Sequence, residues 1–248
     1  MSSPEPPVYY ELSWSILSTI GIVNVLLGLM VAGITSFSHV VLVPIVVSAA
    51  GALANGMCYY AFYASYPIPS QAVASAIADV CWLVQEAGMS FYSYAILTRV
   101  LERRDRLVFV SIFWTVVAAV TAVRGVILVE RVRYILDGSK DAGLQGIISN
   151  LHIGYFVAIA VLESVSAVFL LRRFAAARTT SVQVSTRSMF FSYLMRSTEV
   201  RVALLAVVGT TRAITYSFQT TAQSATNTAS QVDRFAYTLE CMFPMLMM

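Results

Sequence analysis

The chain has 248 residues, of which 58% are hydrophobic and 12% are charged, and its mean hydropathy is +0.75. A soluble domain of this length does not combine so much apolar surface with so little charge, so the sequence predicts an integral membrane protein. The formal net charge is only +3, and the basic residues form no run of the kind that binds nucleic acid. At about 20 apolar residues per span, this length accommodates roughly seven membrane-spanning helices and excludes a separate catalytic domain.

Hydropathy along the chain predicts seven transmembrane helices. Their expected bounds are residues 13–33, 39–63, 73–97, 107–128, 147–171, 199–219 and 231–248. The first six are long enough to cross a bilayer, and the seventh is near the lower limit. The expected fold is therefore an all-α bundle of seven transmembrane helices that forms one integral membrane domain over residues 1–248.

Arginine is concentrated in two of the predicted loops. The loop after the third span contains Arg99, Arg103, Arg104 and Arg106, and the loop after the fifth contains Arg172, Arg173, Arg178, Arg187 and Arg196. The positive-inside rule predicts that both loops are cytosolic, which puts the N-terminus outside or in a lumen and the C-terminus in the cytosol. The loop expected at residues 130–141 fits this topology less well, because it would lie on the outer side and yet contains Arg131. Since no cell-surface domain is predicted, we expect the endoplasmic reticulum or another endomembrane rather than the plasma membrane.

Six ionisable side chains lie at bilayer depth within the predicted spans. They are Asp79, Glu86, Arg124, Glu163, Arg212 and Glu240. Each costs about 2.5 to 3.5 kcal/mol to insert, which makes each one a candidate functional residue. The rise of a helix places four of them in one layer near the outer boundary of the membrane. Glu86 and Glu163 are expected deeper, either as a second layer or as braces for the third and fifth helices.

Two interpretations of these side chains are open. Acids and arginines at one depth can neutralise each other as structural ion pairs. Four acids against two arginines would leave two acids unpaired, and an unpaired carboxyl group in a low-dielectric interior stays protonated and can donate a proton. We favour a functional role for Asp79 and Glu240 and leave both interpretations open for Glu86 and Glu163.

Polar and aromatic residues at spacings of three and four form one polar face on five of the spans. On the third span, for example, this face includes Asp79, Trp82 and Glu86, and on the fifth it includes His152. Faces of this kind on several helices predict a buried polar pocket with an aromatic wall. The candidate binding residues are Asn55, Tyr59, Tyr63, Trp82, Arg124, Arg212, Tyr216 and Tyr237. The candidate catalytic acids are Glu240, Asp79 and Glu86.

Several familiar motifs do not occur in the sequence. It contains no H-E-x-x-H, no Cys/His cluster with metal spacing, no nucleophile elbow, no P-loop and no acidic run of the DDxxD type. We therefore expect neither a metal nor a cofactor. The seventh span has no lysine, which excludes a retinal Schiff base at that position.

The end of the chain resembles fungal RTA1-like seven-span proteins. The resemblance rests on RAITYSFQ at residues 212–219 and DRFAYTLECMFPM at residues 233–245, and it covers about the last fifth of the chain. Asp233 and Arg234 stand where that family has a His-Glu step. The resemblance implies a role in lipid translocation or in resistance to membrane-active compounds.

The predicted architecture is also similar to that of fungal membrane-bound meroterpenoid cyclases, which are seven-helix bundles of about this length. Those enzymes open a terminal epoxide with a carboxylic acid, using one acid on an early helix and another on a late helix. The resemblance implies that Asp79 or Glu86 is the acid on the early helix and that Glu240 is the acid on the late helix. The Trp-Glu pair of the best-known cyclase group is absent, since Trp82 stands four positions before Glu86.

The function favoured by the sequence alone is a metal-independent terpene or meroterpenoid cyclase, in which a buried carboxyl group opens a prenyl epoxide as a general acid. Aromatic rings would stabilise the carbocation, while Arg124 and Arg212 would tune the acids and position the substrate. The expected partners are a lipophilic small molecule with an epoxidised prenyl chain and the lipid bilayer, without nucleic acid or an obligate protein partner. The alternatives are an RTA1-like lipid translocator that is not an enzyme and, less favoured, a seven-helix receptor.

Overall fold

The computed structural model describes residues 13–63, 66–138, 142–181, 200, 203–204, 206–215 and 228–248. Within these ranges every regular element is an α-helix. The first five helices are α1 (Ser13–Ile34), α2 (His39–Tyr63), α3 (Ile68–Val100), α4 (Arg103–Leu136) and α5 (Ala142–Ser181). We call the helical stretch over residues 206–215 α6, and α7 spans Thr228–Met247. The expected all-α fold class is confirmed for this part of the chain.

Among the described residues, five helices are long and apolar enough to cross a membrane. These are α1 to α4 together with residues Gly143–Arg173 of α5. The chain is therefore a multi-pass membrane protein. The helices α3 and α4 contain 33 and 34 residues, which is longer than the spans expected from hydropathy. The extra turns are more polar, and a hydropathy window marks only the segment that lies in lipid.

The fourth helix continues beyond its expected end. Hydropathy ends this span at residue 128 and assigns residues 130–141 to a loop, whereas α4 remains helical to Leu136. The placement of Arg131 in a loop is therefore wrong, since this side chain is helical and only 3% exposed. A hydropathy window counts every charged side chain against a membrane span, although a charge that is neutralised inside the bundle does not end the helix.

The central helix of the bundle is α3, which packs against α2, α4 and α5. Asp79, Trp82 and Glu86 of its polar face are all buried, so this face points into the bundle as the three-and-four spacing predicts. The last helix, α7, packs against α1 and α2. A ring contact joins these helices to α3, since the Trp14 ring lies 5.6 Å from that of Trp82 and 6.0 Å from that of Tyr237.

The first two helices approach each other closely at Gly21. A Cβ atom on this residue would lie 2.8 Å from the Cβ of Ala52 and 2.9 Å from backbone atoms of Ala52 and Ser48. Only glycine fits at this contact. Small residues at such crossings are typical of helices that pack within a membrane, where close backbone approach replaces the hydrophobic effect as the source of attraction.

Candidate functional site

The buried ionisable residues of five helices meet in one cluster, which we call the ion network. Its members are Asp79 and Glu86 on α3, Arg124 and Arg131 on α4, His152 on α5, Arg212 on α6, and Asp233 and Glu240 on α7. None of these residues is more than 7% exposed. Such a concentration of charge at bilayer depth is costly unless each charge has a partner, and the contacts within the network supply those partners.

Two arginines of α4 hold the carboxylate of Asp79. The Oδ1 atom of Asp79 lies 3.0 Å from Nη2 of Arg124 and 2.7 Å from Nη1 of Arg131. Arg124 also donates a hydrogen bond from Nε to the backbone carbonyl of Asp79, at 3.1 Å. Two guanidinium groups at this distance form charge-assisted contacts with the carboxylate. In this arrangement Asp79 is paired with both arginines.

His152 connects this end of the network to α5. Arg131 donates a hydrogen bond from Nη2 to His152 Nε2 at 2.8 Å, and His152 Nδ1 donates to the carbonyl oxygen of Ile148 at 2.8 Å. A guanidinium group only donates and a carbonyl oxygen only accepts, so the hydrogen of the ring must be on Nδ1 and the ring is neutral. His152 is therefore a hydrogen-bond acceptor for a buried arginine.

Arg212 is the centre of the other half of the network. Its Nη1 atom lies 2.6 Å from Oε2 of Glu240 and 3.3 Å from Oε1 of Glu86, and its Nε atom lies 3.8 Å from Oδ1 of Asp233. Thr215 donates a hydrogen bond to the same Asp233 oxygen at 2.9 Å. A single guanidinium group therefore joins α3, α6 and α7.

Glu86 links the two halves of the network. Its Oε2 atom lies 3.5 Å from Nη1 of Arg124, while Oε1 contacts Arg212. Glu86 therefore does not stand apart from the other acids of the network, because arginines of both α4 and α6 contact it. The interpretation as structural ion pairs describes Asp79, Glu86 and Glu240 in this structure.

A cluster of neutral hydrogen bonds lies beside the ion network. The Tyr237 hydroxyl accepts a bond from Trp82 Nε1 at 2.9 Å and lies 3.0 Å from both Asn55 Oδ1 and Gln85 Oε1, to either of which it can donate. The Gln85 amide in turn donates to Cys241 Sγ at 3.3 Å. The structure therefore brings three of the candidate binding residues, Asn55, Trp82 and Tyr237, to a single position.

The other three candidate tyrosines do not join this cluster of hydrogen bonds among the described residues. Tyr59 is 37% exposed and stacks on Tyr63 with ring centroids 6.1 Å apart, so the structure does not bring it into the site. Tyr63 packs at the edge of the cluster around Trp14, and Tyr216 lies outside the described residues. The exposure of Tyr59 has a geometric cause, because the buried face of α2 includes Ala54, Asn55 and Cys58, and position 59 lies about 100° around the helix from Cys58.

Sequence reasoning missed two buried arginines, Arg131 and Arg234. The Arg234 guanidinium lies 3.6 Å above the Trp14 ring, and the residue is 6% exposed. A signal for Arg131 was available, since it follows Arg124 by seven residues and therefore lies on the same helical face. With these two residues, four buried arginines stand among the described residues, rather than the two that were expected.

The ion network surrounds a small cavity of about 40 Å³. It is lined by Trp82, Glu86, Arg124, Arg212 and Tyr237 together with several neighbours. A water molecule needs about 10 to 15 Å³ of such space, so the cavity has room for a few waters at most. Among the described residues, no group of three or more His, Cys, Asp and Glu side chains is arranged to hold a metal ion.

A much larger space, which we call the lateral groove, lies between α2 and α3. It has a volume of about 490 Å³, and its walls are formed mainly by Leu42, Val43, Val46, Val47, Val84, Gly88 and Phe91. His39 at the start of α2 and Arg99 near the end of α3 both line it. Since α2 and α3 are neighbouring helices that run in opposite directions, these two polar residues lie at the same end of the groove.

The chain was compared with protein-family models, with curated proteins and with solved structures, and none of them matches it. The fold and the site therefore define its class: a helical, multi-pass membrane protein with an internal network of ion pairs and an apolar groove on its side.

Proposed function

We propose that this protein binds membrane phospholipid and translocates it, as a lipid-handling protein that is not an enzyme. This is the activity implied by the resemblance of its C-terminal stretch to RTA1-like proteins. The observation that supports it most is the lateral groove, which combines apolar walls with a basic end. We further propose seven transmembrane helices, a cytosolic C-terminus and an endomembrane location, as expected from the sequence.

The groove has the chemistry of a site for one hydrocarbon chain. Leu42 and Val46 are each 45% exposed and Val84 is 40% exposed, so the walls are open toward the lipid phase. Its volume lies within the roughly 300 to 1,000 Å³ typical of ligand sites. Arg99 at one end is suited to the phosphate group of a phospholipid, because a cation near the membrane surface attracts anionic headgroups.

The ion network offers a route for the headgroup. A zwitterionic headgroup carries one cation and one anion, and the network contains paired groups of both signs. Arg212 contacts both Glu86 and Glu240, so it can exchange one acidic partner for the other as a headgroup passes. The internal cavity of about 40 Å³ must widen in this step.

The same geometry gives less support to a cyclase. Opening an epoxide needs a protonated acid beside a cavity that accepts a prenylated phenol. Asp79, Glu86 and Glu240 each contact at least one arginine, so each carboxyl group would have to leave an arginine before it could act on an epoxide. The cavity of about 40 Å³ beside these acids is also far below the roughly 300 Å³ at which ligand pockets begin.

The proposal is tested by reconstituting the full chain in liposomes that contain a fluorescently labelled phospholipid. The initial rate at which the label crosses the bilayer is measured by adding a quencher to the outside. We expect Ala95→Trp, which fills the groove, to lower this rate about tenfold, as loss of ~1.4 kcal/mol of binding does. Ala118→Trp on the exposed face of α4 is the matched control and should leave the rate unchanged.

A second pair of variants tests the basic end of the groove. Arg99→Gln should slow translocation, whereas Arg106→Gln, an exposed arginine outside the groove, should not. If wild-type liposomes show no more translocation than protein-free liposomes, lipid translocation is ruled out. Membranes containing the chain would then be incubated with epoxidised prenyl phenols, and products of unchanged mass would indicate a cyclase.

A further inference from the structure

Glu163 on α5 differs from the acids of the ion network. It is 5% exposed, and its Oε2 atom has no hydrogen-bond partner among the described residues. No arginine of the described ranges lies within ion-pair distance of it, although Asp79, Glu86 and Glu240 all have such contacts. A buried carboxylate without a cation is among the most costly groups that a membrane protein can contain.

The Glu163 carboxyl group faces a very small cavity between α3, α5, α6 and α7. This cavity has a volume of about 10 Å³, and Glu86, Gly209, Arg212 and Glu240 line it together with Glu163. A Cβ atom on Gly209 would collide with the Oε2 atom of Glu163. The missing side chain of Gly209 therefore provides the space that the carboxyl group occupies.

The charged groups that face Glu163 come from three other helices. Glu86 faces it from α3, Arg212 from α6 and Glu240 from α7. The one cation among them is already engaged, because Arg212 lies 2.6 Å from Glu240 and 3.3 Å from Glu86. An ionised Glu163 would add a fourth negative charge around a single guanidinium group, because Asp233 also lies 3.8 Å from Arg212. Both desolvation and like-charge repulsion oppose this state.

We propose that Glu163 is a proton-binding site, whose carboxyl group carries a proton while Arg212 is paired with Glu86 and Glu240. Release of this proton to water leaves a carboxylate that competes with Glu86 and Glu240 for Arg212. Proton release at α5 is thereby linked to the partners of Arg212 on α3 and α7. This site stands independently of the proposed lipid translocation, because its test detects the proton itself.

The test is infrared spectroscopy of the purified full chain in lipid nanodiscs, in H₂O and in D₂O. At neutral pH we expect the carbonyl-stretch band of a protonated carboxylic acid, with a shift in D₂O. The band should be lost in Glu163→Gln. It should remain in the control Glu130→Gln, which removes a carboxyl group paired with Arg133 at the surface. The proposal is overturned if the wild-type chain lacks the band or if Glu163→Gln retains it in full.

A second measurement separates a neutral Glu163 from an ion-paired one. Glutamine is the uncharged isostere of a protonated glutamate, so Glu163→Gln should change Tm by less than about 2 °C. A fall of Tm as large as that caused by removing a paired acid would show that Glu163 is charged. If Glu163→Gln fails to fold, Glu163→Asp replaces it in the infrared experiment. The shorter side chain should shift the band, and an unchanged band would overturn the assignment.

Discussion

At the scale of single residues, Asp79 shows how the bundle accommodates a charge inside the membrane. Its Oδ1 atom contacts two guanidinium groups, those of Arg124 and Arg131, and the residue has no exposed surface. Burying an ion pair gains little net stability because desolvation opposes it, but removing one partner leaves the other charge uncompensated. In this structure Asp79 is therefore the shared partner of two arginines of α4.

Asp79→Asn should strongly destabilise the fold. The substitution leaves Arg124 and Arg131 without the carboxylate that they share, at an expected cost of about 3 to 5 kcal/mol. Thermal unfolding in detergent, followed by tryptophan fluorescence, measures the effect. The control is Glu130→Gln, which breaks a pair whose Arg133 side chain is 65% exposed and should cost no more than ~1 kcal/mol. Equal Tm values for the two variants would contradict the ion-pair geometry.

Tyr237→Phe should also destabilise the bundle, for a different reason. The hydroxyl of Tyr237 satisfies the buried Trp82 and lies within bonding distance of Asn55 and Gln85. Its loss leaves buried polar groups unsatisfied, at a cost of about 1 to 3 kcal/mol. Tyr59→Phe is the matched control, since Tyr59 is 37% exposed and its ring stacking would be retained. Similar unfolding temperatures for both variants would show that the hydroxyl cluster contributes nothing.

At the scale of helices, the contact between α1 and α2 depends on close packing. The helix α1 has few polar side chains, and lipid tails are as apolar as its leucines, so burial from water does not drive this contact. Gly21 instead lets the α1 backbone lie against Ala52 and Ser48. Removal of this close approach should separate the two helices.

Gly21→Ala should therefore lower stability, although alanine is the better helix former. The new Cβ would lie within 2.9 Å of backbone atoms that cannot move aside, and such overpacking costs about 1 to 3 kcal/mol. Gly125→Ala on α4 is the control, because no atom lies within 4 Å of its added Cβ. It should be neutral or stabilise by up to ~1 kcal/mol. A Tm shift of the same sign and size in both variants would contradict this packing.

At the scale of the whole molecule, the bundle is organised around α3 and held together by charges from its neighbours. The ion network connects α3 with α4, α5, α6 and α7, while the ring contacts of Trp14 connect it with α1. Each arginine contact lies in a low-dielectric interior, where an unpaired partner is costly. Because the network crosses so many helices, its members should lose their contacts together when the bundle opens.

The orientation in the membrane gives a further prediction. The helix α4 has 34 residues, about 51 Å at 1.5 Å per residue, which is enough to cross a bilayer once. Cysteines introduced as Arg104→Cys and Asp137→Cys should therefore be labelled by a membrane-impermeant maleimide from opposite sides. The positive-inside rule puts position 104 in the cytosol. The unmodified chain gives the background from its own cysteines, and labelling of both positions from one side would contradict the predicted topology.

Much of the fold follows from local sequence patterns. The apolar runs identify the helices, since no other backbone arrangement of this composition satisfies its own hydrogen bonds in lipid. The spacing of Asp79, Trp82 and Glu86 identifies the inward face of α3, and all three are buried. The same patterns failed at the C-terminal end of α4 and at Tyr59, because hydropathy does not report where a charge points and a spacing of four does not show which side of α2 is turned inward.

The sequence by itself determined that this is a helical membrane protein and that six of its charged residues lie inside it, because both properties depend on the pattern along one helix. It did not identify the buried Arg131 and Arg234. Only the tertiary structure decided which charges neutralise each other. Glu86 and Glu163 are expected at similar depth, yet Glu86 lies between Arg124 and Arg212 while Glu163 faces Gly209. This difference depends on the register and separation of neighbouring helices. Those are set by packing across the bundle and leave no periodic signal in the sequence.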